Sequence, residues 1–227
     1  GPVWSRMTLA ELIAKYRVDA DDTAIPPLAS DELVTDWLNE AEEEASIRAS
    51  LIHESSNTAI TEISVSAGTS VYPLHETVLD ITRADFTETG SSEVIHMTLT
   101  DRVEQDRNFP DWRTTTDTPT ELIQMDKSIR MGCIPETAGT LTIECYRIPR
   151  KPMASESDKP EIARIHHRHL IQWALHKNYS RPDTEVYDPN RADRALAEFT
   201  RVFGIRPDAD VRRSSQANRP LYNKAVW

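Results

Sequence analysis

The period of the hydrophobic pattern changes twice along this 227-residue chain, from helical to alternating and back to helical. Residues 30–53 place apolar side chains on one helical face, and residues 160–179 and 189–204 do so again. Between them, from about residue 58 to residue 150, apolar and polar residues alternate in short runs separated by turn-forming residues. Such alternation is typical of half-buried antiparallel strands. The pattern therefore predicts helices, then a β module, then helices.

The predicted fold class is α+β. Helices that lie far apart in sequence carry matching apolar stripes, so we expect the N- and C-terminal helices to pack together as one helical bundle. The segment between them is then an inserted antiparallel β module that resembles a sandwich or a barrel, and the bundle is followed by an extended C-terminal arm. The predicted parts are residues 1–6, typical of an expression scar; 7–57, helical; 58–150, the β module; 151–205, helical and packed with 7–57; and 206–227, the arm.

The helical segments carry recognisable end signals. Ser30 is a predicted N-cap, and Gly204 is predicted to end the last helix. The acidic run Glu42, Glu43 and Glu44 is expected mostly to face water, on the side opposite the apolar stripe.

Four of the seven histidines fall in one stretch, EIARIHHRHLIQWALHKNY, at residues 161–179. His166, His169 and His176 share a helical face, so a metal ion held by two or three of them is geometrically possible. The motif H-E-x-x-H is absent, however, and the charge of Arg168 disfavours a nearby cation. The favoured interpretation is a packed, hydrogen-bonded His169 with His167 on a solvated face. We therefore predict no metal site and no cofactor.

Motifs that carry catalysis are missing from the sequence. It contains no G-x-G-x-x-G, no P-loop and no G-x-S-x-G, and only six glycines. Cys133 and Cys145 follow no metal-binding spacing and are expected to be buried free thiols. No run of about 18 apolar residues is present, so we expect no contact with a membrane. The prediction is a protein without enzymatic activity.

Two groups of aromatic residues have no obvious core to join. Phe109 and Trp112 lie in a long polar loop, where they serve either as a lid on the β module or as an anchor for a partner. Tyr222 and Trp227 lie in the C-terminal segment, which lacks any apolar period, and this favours binding to a partner.

The charges are distributed unevenly. The chain carries a net charge of −11, which repels nucleic acid. Residues 7–50 hold eleven acidic and three basic side chains, whereas residues 200–227 hold six basic and two acidic ones. An acidic body with a basic arm suits head-to-tail association of copies or docking of the arm into an acidic groove. Folding of the arm back onto its own acidic helix is the alternative.

Three segments carry a resemblance to a known family: SDELVTDWLNEAEEEASIRASLI, EIARIHHRHLIQWALHKNY and DTEVYDPNRADRALAEFTRVFG. Together with the intervening VSAGTSVYPL, they resemble the head-to-tail adaptor (connector) proteins of tailed bacteriophages over most of residues 7–205. The resemblance implies a helical bundle with an inserted β module. It also implies a structural role in the virion neck, between capsid and tail, after assembly in the host cytoplasm.

The resemblance further implies the partners. Copies of the chain, typically twelve, form a ring beneath the portal protein ring, the C-terminal arm reaches the portal, and the opposite end receives tail proteins. DNA passes through the ring without specific binding. The predicted portal contacts are basic and aromatic residues of the arm: Arg206, Arg212, Arg213, Arg219, Tyr222 and Trp227.

Two other functions stay open at this point. The chain could be a tail completion or spike-attachment protein that binds a tail partner through Phe109 and Trp112 of the β module. More remotely, it could be a metal-dependent hydrolase that uses His166, His169 and His176.

Overall fold

The computed structural model describes residues 6–208. These residues form two compact units. The helical unit comprises residues up to 52 together with residues 148–206, and the β unit comprises residues 53–147. Arg212, Arg213, Arg219, Tyr222 and Trp227 of the predicted arm lie outside the described residues.

Six α-helices occur within residues 6–208: α1 (Leu9–Asp19), α2 (Asp31–Ala49), α3 (Thr58–Thr61), α4 (Arg102–Asn108), α5 (Leu170–Tyr179) and α6 (Pro189–Phe203). A 3₁₀ helix, Arg164–His169, leads directly into α5. The predicted N-cap is confirmed, since the Ser30 hydroxyl accepts a hydrogen bond from the Leu33 N–H at 3.1 Å. Gly204 ends α6 with a φ of 84°, a backbone conformation that favours glycine.

The core of the helical unit joins the apolar stripes of α1, α2, α5 and α6. Aromatic rings make up its centre, where Phe199 lies 5.1 Å from Trp173 and 4.7 Å from Phe203, measured between ring centroids. The Tyr16 and Trp37 rings pack edge to face at 6.2 Å. The expected packing of N-terminal on C-terminal helices is therefore confirmed.

Two predicted helices differ from the observed ones at their ends. The first stops at Ala49, with Ser50 in the left-handed region, and Ile52 instead begins a strand. The segment before Arg164 is not helical, because the carboxylate of Glu42 accepts the N–H groups of residues 161 and 162 at 2.6 Å and 3.1 Å. Those contacts hold the main chain extended before the 3₁₀ turn begins.

The described part of the chain also contains eleven strands: β1 (Ile52–Glu54), β2 (Glu62–Val65), β3 (Val71–Pro73), β4 (Val78–Glu88), β5 (Ile95–His96), β6 (Thr98–Thr100), β7 (Thr116–Asp117), β8 (Glu121–Gln124), β9 (Ser128–Met131), β10 (Ile134–Pro135) and β11 (Gly139–Arg147). One sheet has the order β1-β11-β4-β5, with β2 also paired to β11. A second has the order β3-β9-β8-β6, and β7 and β10 form a short parallel pair. Most pairings are antiparallel, although β6 pairs with β8 in parallel.

The two larger sheets share one apolar core, which makes the β unit sandwich-like and not a closed barrel. Along β11 the inward side chains alternate with outward ones, as the period of two predicts. Gly139 permits a close approach to β4, because a Cβ atom there would lie 2.4 Å from the Thr87 carbonyl oxygen. Cys133 and Cys145 are buried and free, as expected.

Candidate interaction surfaces

The histidine stretch supplies packing and hydrogen bonds to the helical unit. His167 is fully buried; its Nδ1 accepts the Met7 N–H at 3.1 Å, and its Nε2 donates to the Ile162 carbonyl at 2.8 Å. The expected solvated position of His167 was therefore wrong, because the 3₁₀ turn rotates this residue inward. Burial lowers the pKa of the imidazole, which keeps it neutral.

The other three histidines of the stretch contact α6. His166 and His169 pack against the Phe203 ring at 5.7 Å and 6.4 Å, and burial lowers the pKa of both. His176 Nδ1 lies 3.0 Å from the Ala192 carbonyl oxygen, to which it donates. Within the described residues 6–208, no three His, Cys, Asp or Glu side chains are placed to hold a metal ion.

A buried carboxylate lies on α2. The Glu42 side chain, expected to face water, is 1 % exposed. Its desolvation raises the pKa to about 7, even though the two main-chain N–H donors of residues 161 and 162 favour the charged form. Asn39, one turn earlier, binds both the N–H and the carbonyl of Met153, at 2.7 Å and 2.9 Å. Polar side chains of α2 thus hold a segment more than 100 residues away.

A groove of about 410 Å³ runs beside this face of α2, and we call it the α2 groove. Its walls combine carboxylates with apolar residues: Asn39, Glu40, Glu42, Glu43, Glu44, Ile47, Pro149, Lys151, Pro152 and Arg206. Glu43 is exposed and makes no ion pair within the described part of the chain. Glu40 pairs with Lys177 at 3.4 Å, and both side chains are exposed.

The start of the predicted arm lies at this groove. Arg48 Nη1 donates to the Gly204 carbonyl at 3.1 Å, and Arg48 Nε pairs with Glu44 at 2.9 Å. The guanidinium of Arg206 lies 3.9 Å from Glu44 and stays largely exposed. Of the six predicted portal contacts, Arg206 is the one that falls within residues 6–208.

The aromatic loop of the β unit holds Trp112 in a defined pocket. The indole is 2 % exposed, and the guanidinium groups of Arg113 and Arg130 lie over its ring, at 4.5 Å and 4.6 Å from the centroid. Its Nε1 donates to Asp106 at 2.8 Å, and Arg113 pairs with the same carboxylate. Trp112 is therefore packed within its own unit.

Phe109, by contrast, is 51 % exposed. Its ring borders a groove of about 370 Å³, which we call the loop groove, lined by Gln105, Asn108, Phe109, Pro110, Asp111, Trp112, Thr115, Asp117, Thr118, Thr120, Glu121, Gly132 and Cys133. The binding of a tail partner by Phe109 and Trp112 stays a prediction.

The loop between α1 and α2 displays apolar side chains that the sequence pattern assigned to a linker. Ile25 is 98 % exposed and Leu28 is also exposed, as is Val18 in the last turn of α1. Asp22 fixes the loop by accepting the N–H groups of residues 28 and 29 at 2.8 Å and 3.0 Å and by pairing with Arg17 at 2.7 Å. An acidic residue six or seven positions before the N–H groups that it accepts is too common a pattern to have indicated this loop.

The fold and these surfaces define a class: an α+β protein that presents grooves and exposed loops on two units. The chain belongs to the SU10 adaptor protein family, whose model matches residues 7–221. This confirms the resemblance to phage head-to-tail adaptors, so the chain is a bacteriophage structural protein and a component of the virion. No curated protein matches the chain. Within residues 6–208, each helix is too short or too polar to cross a membrane.

Proposed function

We propose that this protein is a head-to-tail adaptor that docks as a ring of copies on the portal protein ring and joins the capsid to the tail. Family membership is the observation that carries the proposal. In this role the protein performs no catalysis, and it lies in the neck of the virion.

The basic arm is the proposed portal-binding element. It leaves the helical unit after Arg206, and residues 209–227 carry four basic side chains and one acidic one. One arm binds weakly on its own, but a ring engages many arms at once. Each further contact then forms at a high effective concentration, so modest contacts add up to a firm attachment.

Ring formation requires a heterologous contact, in which two different faces of neighbouring copies meet and the rotation closes. We propose that the ring typically contains twelve copies and that its interior forms part of the DNA conduit. The net charge of −11 suits a conduit because it prevents adhesion of DNA phosphates during passage.

Removal of the arm tests the portal contact. A chain that ends at Asp208 keeps every contact described above and is expected to retain the wild-type circular dichroism spectrum. It should no longer cosediment with a purified portal ring. A matched full-length variant, in which Arg212, Arg213 and Arg219 become Gln, shows whether binding is lost because of the missing charges or because of the missing segment. Unchanged cosedimentation of the truncated chain would refute the arm assignment.

A tail-side role is the second candidate, and the exposed ring of Phe109 at the loop groove favours it. Phe109→Ala removes this ring without disturbing Trp112, whereas Trp112→Ala disturbs the unit itself. If the Phe109→Ala variant binds the portal but fails to recruit tail proteins, the β unit is the tail-binding surface. The hydrolase alternative is tested by elemental analysis of the purified protein, where stoichiometric zinc that is lost in His169→Ala would support it.

A further inference from the structure

The α2 groove is a concave, acidic surface at the point where the described chain ends. Its carboxylates Glu40 and Glu43 are exposed. Among the described residues, Glu40 forms an exposed ion pair with Lys177 at 3.4 Å, and Glu43 has no ion-pair partner. Its apolar walls include Ile47, Pro149 and Pro152. A groove of this composition suits an extended peptide that carries basic side chains at short intervals.

The contacts of residues 204–206 show that the C-terminal segment already enters this groove. Arg48 holds the carbonyl of Gly204, and Arg206 lines the groove beside Glu44. Lys151 is the other base in the lining, so the carboxylates still outnumber the bases there. The first basic residue of the arm, Arg206, therefore lies at the edge of the groove beside Glu44, and Arg212 and Arg213 follow six and seven positions later.

We propose that residues 209–227 of each chain dock in the α2 groove of the same chain through Arg212 and Arg213. Six residues span at most about 20 Å when extended, and Glu40 lies only about 6 Å along α2 from Glu44. Arg212 and Arg213 can therefore reach Glu40 and Glu43. Because so short a tether gives an effective concentration in the millimolar range, the arm of the same chain prevails over the arm of another copy.

Docking of this kind gives the arm two alternative partners, the groove in the free protein and a portal surface in the assembled neck. The second of these rests on the proposed function, whereas docking in the groove does not. The groove thereby shields the arm's positive charges until a partner that binds the arm more strongly displaces the arm from the groove.

Limited trypsin digestion of the full-length protein tests the docking. Cleavage after Arg212 and Arg213, followed by mass spectrometry, should be about fivefold faster in the Glu40→Gln/Glu43→Gln variant than in wild type, the factor expected for two exposed ion pairs. The difference should vanish near 0.5 M NaCl, because salt screens exposed charges. Hydrogen exchange of residues 209–227 should rise in the same variant.

Two controls separate docking from general effects. Glu32→Gln/Glu185→Gln removes two exposed acids that do not line the groove and should leave the cleavage rate unchanged. Lys177→Ala removes the partner of Glu40 and should not accelerate cleavage. Equal rates in wild type and the groove variant overturn the proposal, and so does protection that grows with protein concentration, which indicates exchange of arms between copies. Neither result bears on portal binding, which is measured separately.

Discussion

The helical unit and the β unit each use polar side chains to bind main-chain groups of a distant segment, but the side chains differ between the two units. In the helical unit these are Glu42 and His167, which titrate. In the β unit Gln124 accepts the Ile81 N–H at 2.9 Å and donates to the Leu79 carbonyl at 2.8 Å, and it cannot titrate.

Charged groups in the β unit reinforce this difference. The Glu54 carboxylate pairs with Arg147 at 3.0 Å and is 7 % exposed. Burial alone would raise its pKa, but the N–H donors of Ser56 and Asn57 and the guanidinium of Arg147 lower it to about 2. This pair therefore stays charged at all ordinary pH values. Among these buried groups that bind the main chain, the ones whose pKa shifts bear on neutral pH are therefore Glu42 and His167 of the helical unit.

The largest expected effect is in the β unit. Trp112→Ala removes a buried ring that contacts two guanidinium groups, and it should lower the free energy of unfolding of this unit by about 3 kcal/mol. Urea unfolding, followed by hydrogen exchange of residues 53–147, measures the loss. Trp112→Phe keeps the stacking and should recover much of it. A loss below about 0.5 kcal/mol for Trp112→Ala would show that the indole is not part of the core.

The next largest effect concerns the carboxylate on α2. Glu42→Ala leaves two main-chain N–H groups without their acceptor and should destabilise the helical unit by about 2 kcal/mol. Glu43→Ala, on the exposed neighbour, should change stability by less than about 0.5 kcal/mol. Hydrogen exchange of α2 and of residues 161–164 reports the effect. Equal stabilities of the two variants would contradict the structural role of Glu42.

The pH dependence sharpens the comparison between the units. Because the pKa of Glu42 is raised to about 7, its protonation stabilises the folded state, and this stability is lost as the pH rises from about 5 through 7. Relative to Glu42→Gln, the wild type should therefore lose on the order of 2 kcal/mol between pH 5 and pH 8.

His167 contributes with the opposite sign. Its lowered pKa means that stability is lost as the pH falls below about 6.5, where the unfolded chain takes up a proton. Subtracting the Glu42→Gln curve from the wild-type curve cancels this contribution. Exchange rates at Ser56 and Asn57, whose N–H groups bind the Glu54 carboxylate, should stay constant over the same range after correction for intrinsic chemistry. A change there that parallels the change at residues 161 and 162 would contradict the difference between the two carboxylates.

The smallest expected effect is at an exposed ion pair. Lys177→Ala removes the partner of Glu40 in the helical unit, and it should change the free energy of unfolding by less than about 0.5 kcal/mol. Thermal melts at low and high salt check this. A change above 1 kcal/mol would mean that Lys177 has a structural role.

Much of the architecture could be predicted from periodicity alone. The apolar stripes of the terminal helices and the alternation along β11 are local patterns, and each reports which side of an element is buried. Ser30 and Gly204 were predictable for the same reason, because capping depends on a few neighbouring residues. The domain boundaries and the roles assigned to Phe109, Trp112 and the arm residues remain predictions.

Positions that depend on distant partners were not predictable. Glu42 belongs to an acidic run that points to water, and it is buried because residues 161 and 162 bring their N–H groups to it. His167 turns inward because a 3₁₀ helix replaces the expected α-helix at that point. Ile25 is exposed although it is apolar, and its loop is fixed by the N–H groups of residues 28 and 29, which Asp22 accepts.

By itself the sequence determined the α+β class, the succession of a helical part, a β module and a second helical part, and the lack of recognisable catalytic motifs, because these follow from local periodicity and short spacings. Only the tertiary structure decided which carboxylate is buried, which aromatic ring is exposed, and where the chain leaves the helical unit. The physical reason is that burial and pKa depend on groups contributed by segments more than 100 residues apart, as at Glu42.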